Sequence, residues 1–140
     1  MEVISKARVE YDRKFIAFDG TEFDAEYKCV EYERSLLIKK CQKKLRYIDG
    51  GRELLPPDGE EHGNENTFHW FYPEDREDIE LLNETFNREI GWDSSGINTW
   101  VCVEEQWGGD CWFTNLDYCM DYVTRFFKEF GYNVKFEQEI

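Results

Sequence analysis

The chain has 140 residues, 17% of them aromatic, and carries 17 Lys or Arg against 31 Asp or Glu for a formal net charge of -14. That length suffices for one domain with its own core, and the ring content is too high for a disordered acidic tail. So large an acidic excess excludes direct grip on a phosphate backbone, and no apolar run approaches a membrane span.

Five cysteines, Cys29, Cys41, Cys102, Cys111 and Cys119, make an odd set with no CxxC pair and no zinc-module spacing. They read as reduced thiols of a cytoplasmic protein, in keeping with the lack of a basic start followed by an apolar run. The charge is unevenly placed. Residues 1–50 hold 11 Lys or Arg against 10 Asp or Glu, and residues 51–140 hold 6 against 21. One domain, 1–140, is expected, with a strand-turn-helix scaffold over 1–50 and an acidic part over 51–140.

In chain order, Val3 to Phe18 reads as one long strand or as a hairpin closing near Asp12 and Arg13. Asp19-Gly20 supplies a turn, and Asp24 can cap a helix to about Lys44 with Tyr27, Val30, Leu37, Cys41 and Leu45 near helical spacing. Lys39, Lys40, Lys43 and Lys44 suit the negative end of that helix dipole, a local anion contact being the alternative. Leu45 to Ile48 is a short strand. Pro56, Pro57 and Gly59 open a loop that runs to Asn66, the segment expected to be most mobile. Thr67 to Tyr72 (TFHWFY) is a buried strand stopped by Pro73.

Glu74 to Glu89 predicts an amphipathic helix with Ile79, Leu81, Leu82, Phe86 and Ile90 inward and Gly91 as its stop. Thr99 to Gln106 and Cys111 to Thr114 form two strands joined across Trp107-Gly108-Gly109-Asp110. Asn115 or Thr114 caps a last helix, Leu116 to Phe130, ended by Gly131, and Tyr132 to Phe136 reads as a closing strand. The fold class is α+β, a mostly antiparallel sheet with about three helices on one face.

Catalytic groups are sparse. His69 alternates with Phe68 and Trp70 and reads as a packed histidine, while His62 beside Glu60 and Glu61 faces solvent. No GxSxG surrounds Ser94 or Ser95, and each cysteine sits in an apolar pattern, although Cys102 and Cys111 could face one another on adjacent strands. Glu104, Glu105 and Asp110 are the best carboxylates for a metal hydrolase, yet no DxD or HxE-like pair anchors them. Neither a nucleotide cradle nor a cofactor or metal is implied, and the chain does not read as an enzyme.

The acidic surface remains. Residues 58–89 hold 11 acids against 2 arginines. Over a helix of about 24 Å, seven carboxylates average one per roughly 3.4 Å, close to the phosphate spacing of one DNA strand. The like-charge pairs Glu74/Asp78 and Glu80/Glu84 each cost the helix several tenths of a kcal/mol, on the order of what i,i+4 repulsion gives. A partner-binding face is therefore assigned to Asp58, Glu60, Glu61, Glu65, Glu74, Asp75, Glu77, Asp78, Glu80 and Glu84, docking on a basic nucleic-acid-binding protein. The alternative is recognition of a host protein or small ligand through Trp92, Trp100, Trp107 and Trp112.

The segment FIAFDGTEFDAEYKCVEYE, residues 15–33, supplies Asp19, Gly20, Phe23, Cys29, Tyr32 and Glu33 at the spacing of a strand-turn-helix opening. Over roughly a seventh of the chain it resembles small acidic proteins of phages and mobile elements of Gram-positive bacteria, a group that includes anti-CRISPR and anti-restriction inhibitors. The resemblance implies a mobile-element origin more than an activity; together with the acidic half it leads to the expectation of an inhibitor of a bacterial defence nuclease, with a CRISPR effector as its target, acting in the host cytoplasm. It assigns the matching residues to the turn and to packing.

Overall fold

Asp19-Gly20 is the pivot of the N-terminal part. The computed structural model describes residues 1–5, 13–86 and 97–139, and the chain divides into two compact units, residues 1–44 and 45–140.

In the first unit, β1 (Glu2–Ser5) and β2 (Arg13–Ile16) pair antiparallel with Val3 opposite Phe15, so the opening segment is a hairpin. Its connection, residues 6–12, lies outside the described residues. Gly20 sits at φ +91, in the left-handed region that a side chain resists. The turn closes through Ala17 N–H to the Thr21 carbonyl and Gly20 N–H to the Ala17 carbonyl, both 2.9 Å. β3 (Glu22–Phe23) then returns along β2, with Phe23 opposite Phe15.

Helix α1 (Glu26–Lys44) packs by Cys29 and Tyr32 rather than by Tyr27 and Val30, which are exposed. Asp24 takes up an ion pair with Lys28 at 3.0 Å. Phe15, Ala17 and Cys29 form a buried cluster against which Phe23 and Tyr32 lean, their rings 5.1 Å apart. The Tyr32 hydroxyl donates to the Asp19 carboxylate, which also accepts from Thr21 N–H at 3.0 Å, and Glu33 accepts from Phe18 N–H at 3.1 Å. The bonds from Tyr32, foremost, and Thr21 hold the Asp19 pKa below its usual value. Five of the six residues of the opening motif thus lock one turn to one helix, and Gly20 makes that turn possible.

The second unit is an antiparallel meander. Strands β4 (Arg46–Ile48), β5 (Thr67–Tyr72), β6 (Val101–Glu105) and β7 (Cys111–Asn115) lie in chain order. A single 3-10 turn, Gly51–Leu54, follows β4. Helix α2 (Arg76–Phe86) is set between β5 and β6, and α3 (Leu116–Lys128) follows β7 directly.

The period-2 alternation of β5 explains its unbroken apolar run. Phe68 and Trp70 join Cys102 of β6 and Cys119 of α3 in one cluster. His69 and Phe71 face the other way and meet Phe86 of α2, with ring centroids 5.5 and 6.4 Å apart. Both faces of the sheet are therefore covered, α3 on one and α2 on the other, and a strand covered on both faces needs apolar residues at every position.

Fold class, antiparallel pairing and three helices follow the α+β expectation. Three details differ. The strands split into a three-stranded and a four-stranded sheet, α2 and α3 take opposite faces, and residues 132–139 form no strand. Tyr132 and Phe136 are exposed, and the chain past Gly131 (φ +86) pairs with no strand. All five cysteines are buried free thiols; the β6–β7 register sets Cys102 opposite Thr114 and Cys111 opposite Glu105, so the two do not meet. The expected helix end, residues 87–91, and Trp92, Ser94 and Ser95 lie outside the described residues. Among the described residues no helix is long and apolar enough to cross a membrane.

Asn115 caps α3 as expected, its side chain accepting from Tyr118 N–H at 2.8 Å. Replacing it with Ala is expected to destabilise the protein by about 1 kcal/mol, the usual worth of such a cap. Urea denaturation checks this, an unchanged midpoint counting against the cap.

Candidate functional site

Asp58 and His62 are four residues apart in the loop that follows Leu55, and Glu104 stands on β6 at the same parity as buried Cys102. The loop lies over the α3 side of the sheet, with the His62 ring edge-on to Phe68 at 5.3 Å. There His62 Nε2 meets Asp58 Oδ1 and Nδ1 meets Glu104 Oε1, both at 3.0 Å. A neutral imidazole has one N–H and can satisfy one carboxylate; the imidazolium donates to both. Burial pulls the His62 pKa down, but the hydrogen bonds and charges of Asp58 and Glu104 outweigh it and raise it.

The bracket is extended by main chain and amide. Asn66 Nδ2 donates to Glu104 Oε2, and Asp58 Oδ1 also accepts from Glu60 N–H at 3.0 Å. Gly59 (φ +75) lies so close under the Tyr122 hydroxyl of α3 that a Cβ there would overlap it. The segment expected to be mobile is thus tied at Asp58, Gly59, His62 and Asn66.

Beside this bracket opens a pocket of about 540 Å³ whose walls include Glu60, Glu61, Gln106, Trp112, Thr114 and Tyr118. Glu104 and Trp112 are cross-strand partners, as are Cys102 and Thr114, which is why they share one wall. Among the described residues the lining holds four carboxylates and one histidine, and neither Lys nor Arg. No protein-family model, curated protein or solved structure matches this chain. The pocket is therefore read from its own chemistry. Both His62 nitrogens are occupied, so the ring has no lone pair to act as a general base, and burial raises the Cys102 thiol far above its usual range.

The ten acids expected on one docking face fall into three groups. Asp58 and Asp78, 8% and 6% exposed, are internal. Asp58 holds His62, and Asp78 accepts from Glu74 N–H at 3.0 Å while its own N–H donates to Asp75 Oδ1 at 2.9 Å, a reciprocal cap at the start of α2. Glu60 and Glu61 line the pocket, with Glu65 exposed on the same loop. Glu74, Asp75, Glu77, Glu80 and Glu84 are exposed at α2, across the sheet from the pocket. Residues 58–84 therefore do not make one continuous acidic face.

The carboxylates considered for a metal are also separated. Glu104 is engaged by His62 and Asn66; Glu105 faces away from it and lies 3.3 Å from His69 Nε2; Asp110 is exposed in the β6–β7 turn. Among the described residues no group of three or more His, Cys, Asp or Glu is placed to hold a metal ion. His62, expected to face solvent, has a side chain only 13% exposed. One sequence signal pointed to it: an acid at an inward position of β6, Glu104, requires an internal partner.

The raised His62 pKa has a definite sign. The stabilisation is fully present below the unfolded value of about 6.5 and is lost as pH rises through the raised folded value. His62→Ala leaves two largely buried carboxylates without their donor and is expected to cost about 1–3 kcal/mol. The difference in melting temperature between wild type and variant should be largest below about pH 6.5 and shrink at higher pH. A difference independent of pH contradicts the imidazolium.

Proposed function

We propose that the chain is a non-enzymatic inhibitor that docks acidic α2 in the basic nucleic-acid groove of a bacterial defence nuclease, of the anti-CRISPR type. The supporting observation is the charge partition: residues 1–44 hold 10 Lys or Arg against 9 acids, and residues 45–140 hold 7 against 22, so the charge boundary falls at the boundary between the two units.

Within the acidic unit the exposed row is shorter than a sixteen-residue helix would give. Glu77, Glu80 and Glu84 follow at i, i+3 and i+7 on the exposed side of α2, away from buried Ile79, Leu82 and Phe86. They span about 10 Å at 1.5 Å per residue. Arg76 reaches Glu80 only at 3.8 Å, with both side chains exposed, and neutralises little of the row. An Arg- or Lys-lined groove is the complementary surface, with association steered by charge and weakened by salt.

Glu77→Lys, Glu80→Lys and Glu84→Lys together should weaken protection of DNA against cleavage by the sensitive CRISPR effector at least about tenfold, a modest loss for three reversed contacts. Circular dichroism should remain unchanged, since all three side chains are exposed. Undiminished protection by the triple variant, or wild-type binding insensitive to salt, removes α2 as the docking element.

A further inference from the structure

The pocket beside His62 is a cavity of about 540 Å³, within the range of small-ligand sites, and α2 docking does not use it. Its interior charge is one-sided. Even with His62 as an imidazolium, Asp58, Glu60, Glu61 and Glu104 leave a net negative lining, and among the described residues no Lys or Arg offsets it. Asp58 and Glu104 are already bonded to His62 and Asn66, and so set the field without needing a further partner. Glu60 and Glu61 are exposed at the wall and able to pair with an incoming charge. An anion or a nucleotide phosphate is repelled from such a cavity.

The lining is also aromatic. Trp112 on β7 and Tyr118 in the first turns of α3 both line the cavity, and both keep a large exposed area, 50% and 45%. Indole and phenol rings attract cations through their π faces and also cover an aliphatic chain. Carboxylates and aromatic rings in one cavity select one class of molecule.

We propose that this pocket binds an organic cation, a guanidinium or ammonium group carried on an apolar stem. The cation pairs with Glu60 and Glu61 in the field of the buried carboxylates, and the stem lies along Trp112 and Tyr118. Two sources supply this chemistry, an Arg or Lys side chain of a protein and a free polyamine. The proposal stands independently of α2 and its groove.

The test is calorimetric titration of the full chain at low salt with three probes: N-acetyl-arginine amide, its neutral isostere N-acetyl-citrulline amide, and spermidine. Saturable binding of at least one cation, with citrulline amide bound at least about tenfold more weakly, is expected. Tighter binding of the arginine amide identifies a protein side chain as the source, and tighter binding of spermidine identifies a free polyamine. Trp112→Ala and Glu61→Gln should each weaken binding about threefold to tenfold. Trp107→Ala, at an indole 83% exposed in the β6–β7 turn and outside the lining, should leave it unchanged. The α2 triple reversal should also leave saturable binding in place, which separates this site from the docking face. Equal binding of citrulline and arginine amides, no heat from either cation up to about 10 mM, or equal losses from Trp107→Ala and Trp112→Ala overturns the proposal. A thermal melt of each variant confirms that it is folded.

Discussion

Two carboxylates converge on one imidazole in the acidic unit, Asp58 from the loop and Glu104 from β6, each 3.0 Å from a ring nitrogen of His62. A loop with two consecutive prolines and a left-handed glycine has little regular backbone bonding of its own. Here it is held to the sheet by side chains, with Asn66 completing Glu104 and Tyr122 lying over Gly59. The pocket exists because this loop stays in place. Its floor is the sheet, one wall is the loop, and the other is the start of α3. An ion pair in so sheltered a position is costly to break by removing one member, since the other charges stay behind.

The sheet below it is organised by alternation along β5. Phe68 and Trp70 serve the α3 side, His69 and Phe71 the α2 side, and the same parity continues into β6 with Cys102 against Val103. The strands and α-helices of this unit were readable from the sequence, among them the TFHWFY strand, the hairpin around Gly108-Gly109 and the Asn115 cap; the 3-10 turn Gly51–Leu54 was not. What could not be read was which helix takes which face. An unbroken apolar strand reports that both sides are covered, not by what. The closing strand expected over Tyr132 to Phe136 does not form: alternation marks a strand only where a sheet takes the residues up, and both of these rings stay exposed.

The candidate site was partly readable. The acids of the loop and α2 were singled out by their density, and density does not distinguish surface from interior. Asp58 and Asp78 look like their neighbours in composition, yet one clamps a histidine and the other caps a helix. Residues 58 and 84 lie in one acidic run of the chain and on opposite sides of the sheet, because β5 passes between them. The opening motif fared differently. Asp19, Phe23, Cys29, Tyr32 and Glu33 interact locally, within a turn and the helix that follows, and short-range pattern is what a sequence displays best.

The partition of charge between the two units also shapes how the protein responds to its solvent. With 22 acids against 7 basic residues, residues 45–140 are strained by self-repulsion in the folded state, which dissolved ions relieve. Added salt should therefore make this unit harder to unfold while loosening its hold on any positively charged partner. Ionic strength thus acts on the stability of this unit and on any charge-steered contact in opposite directions.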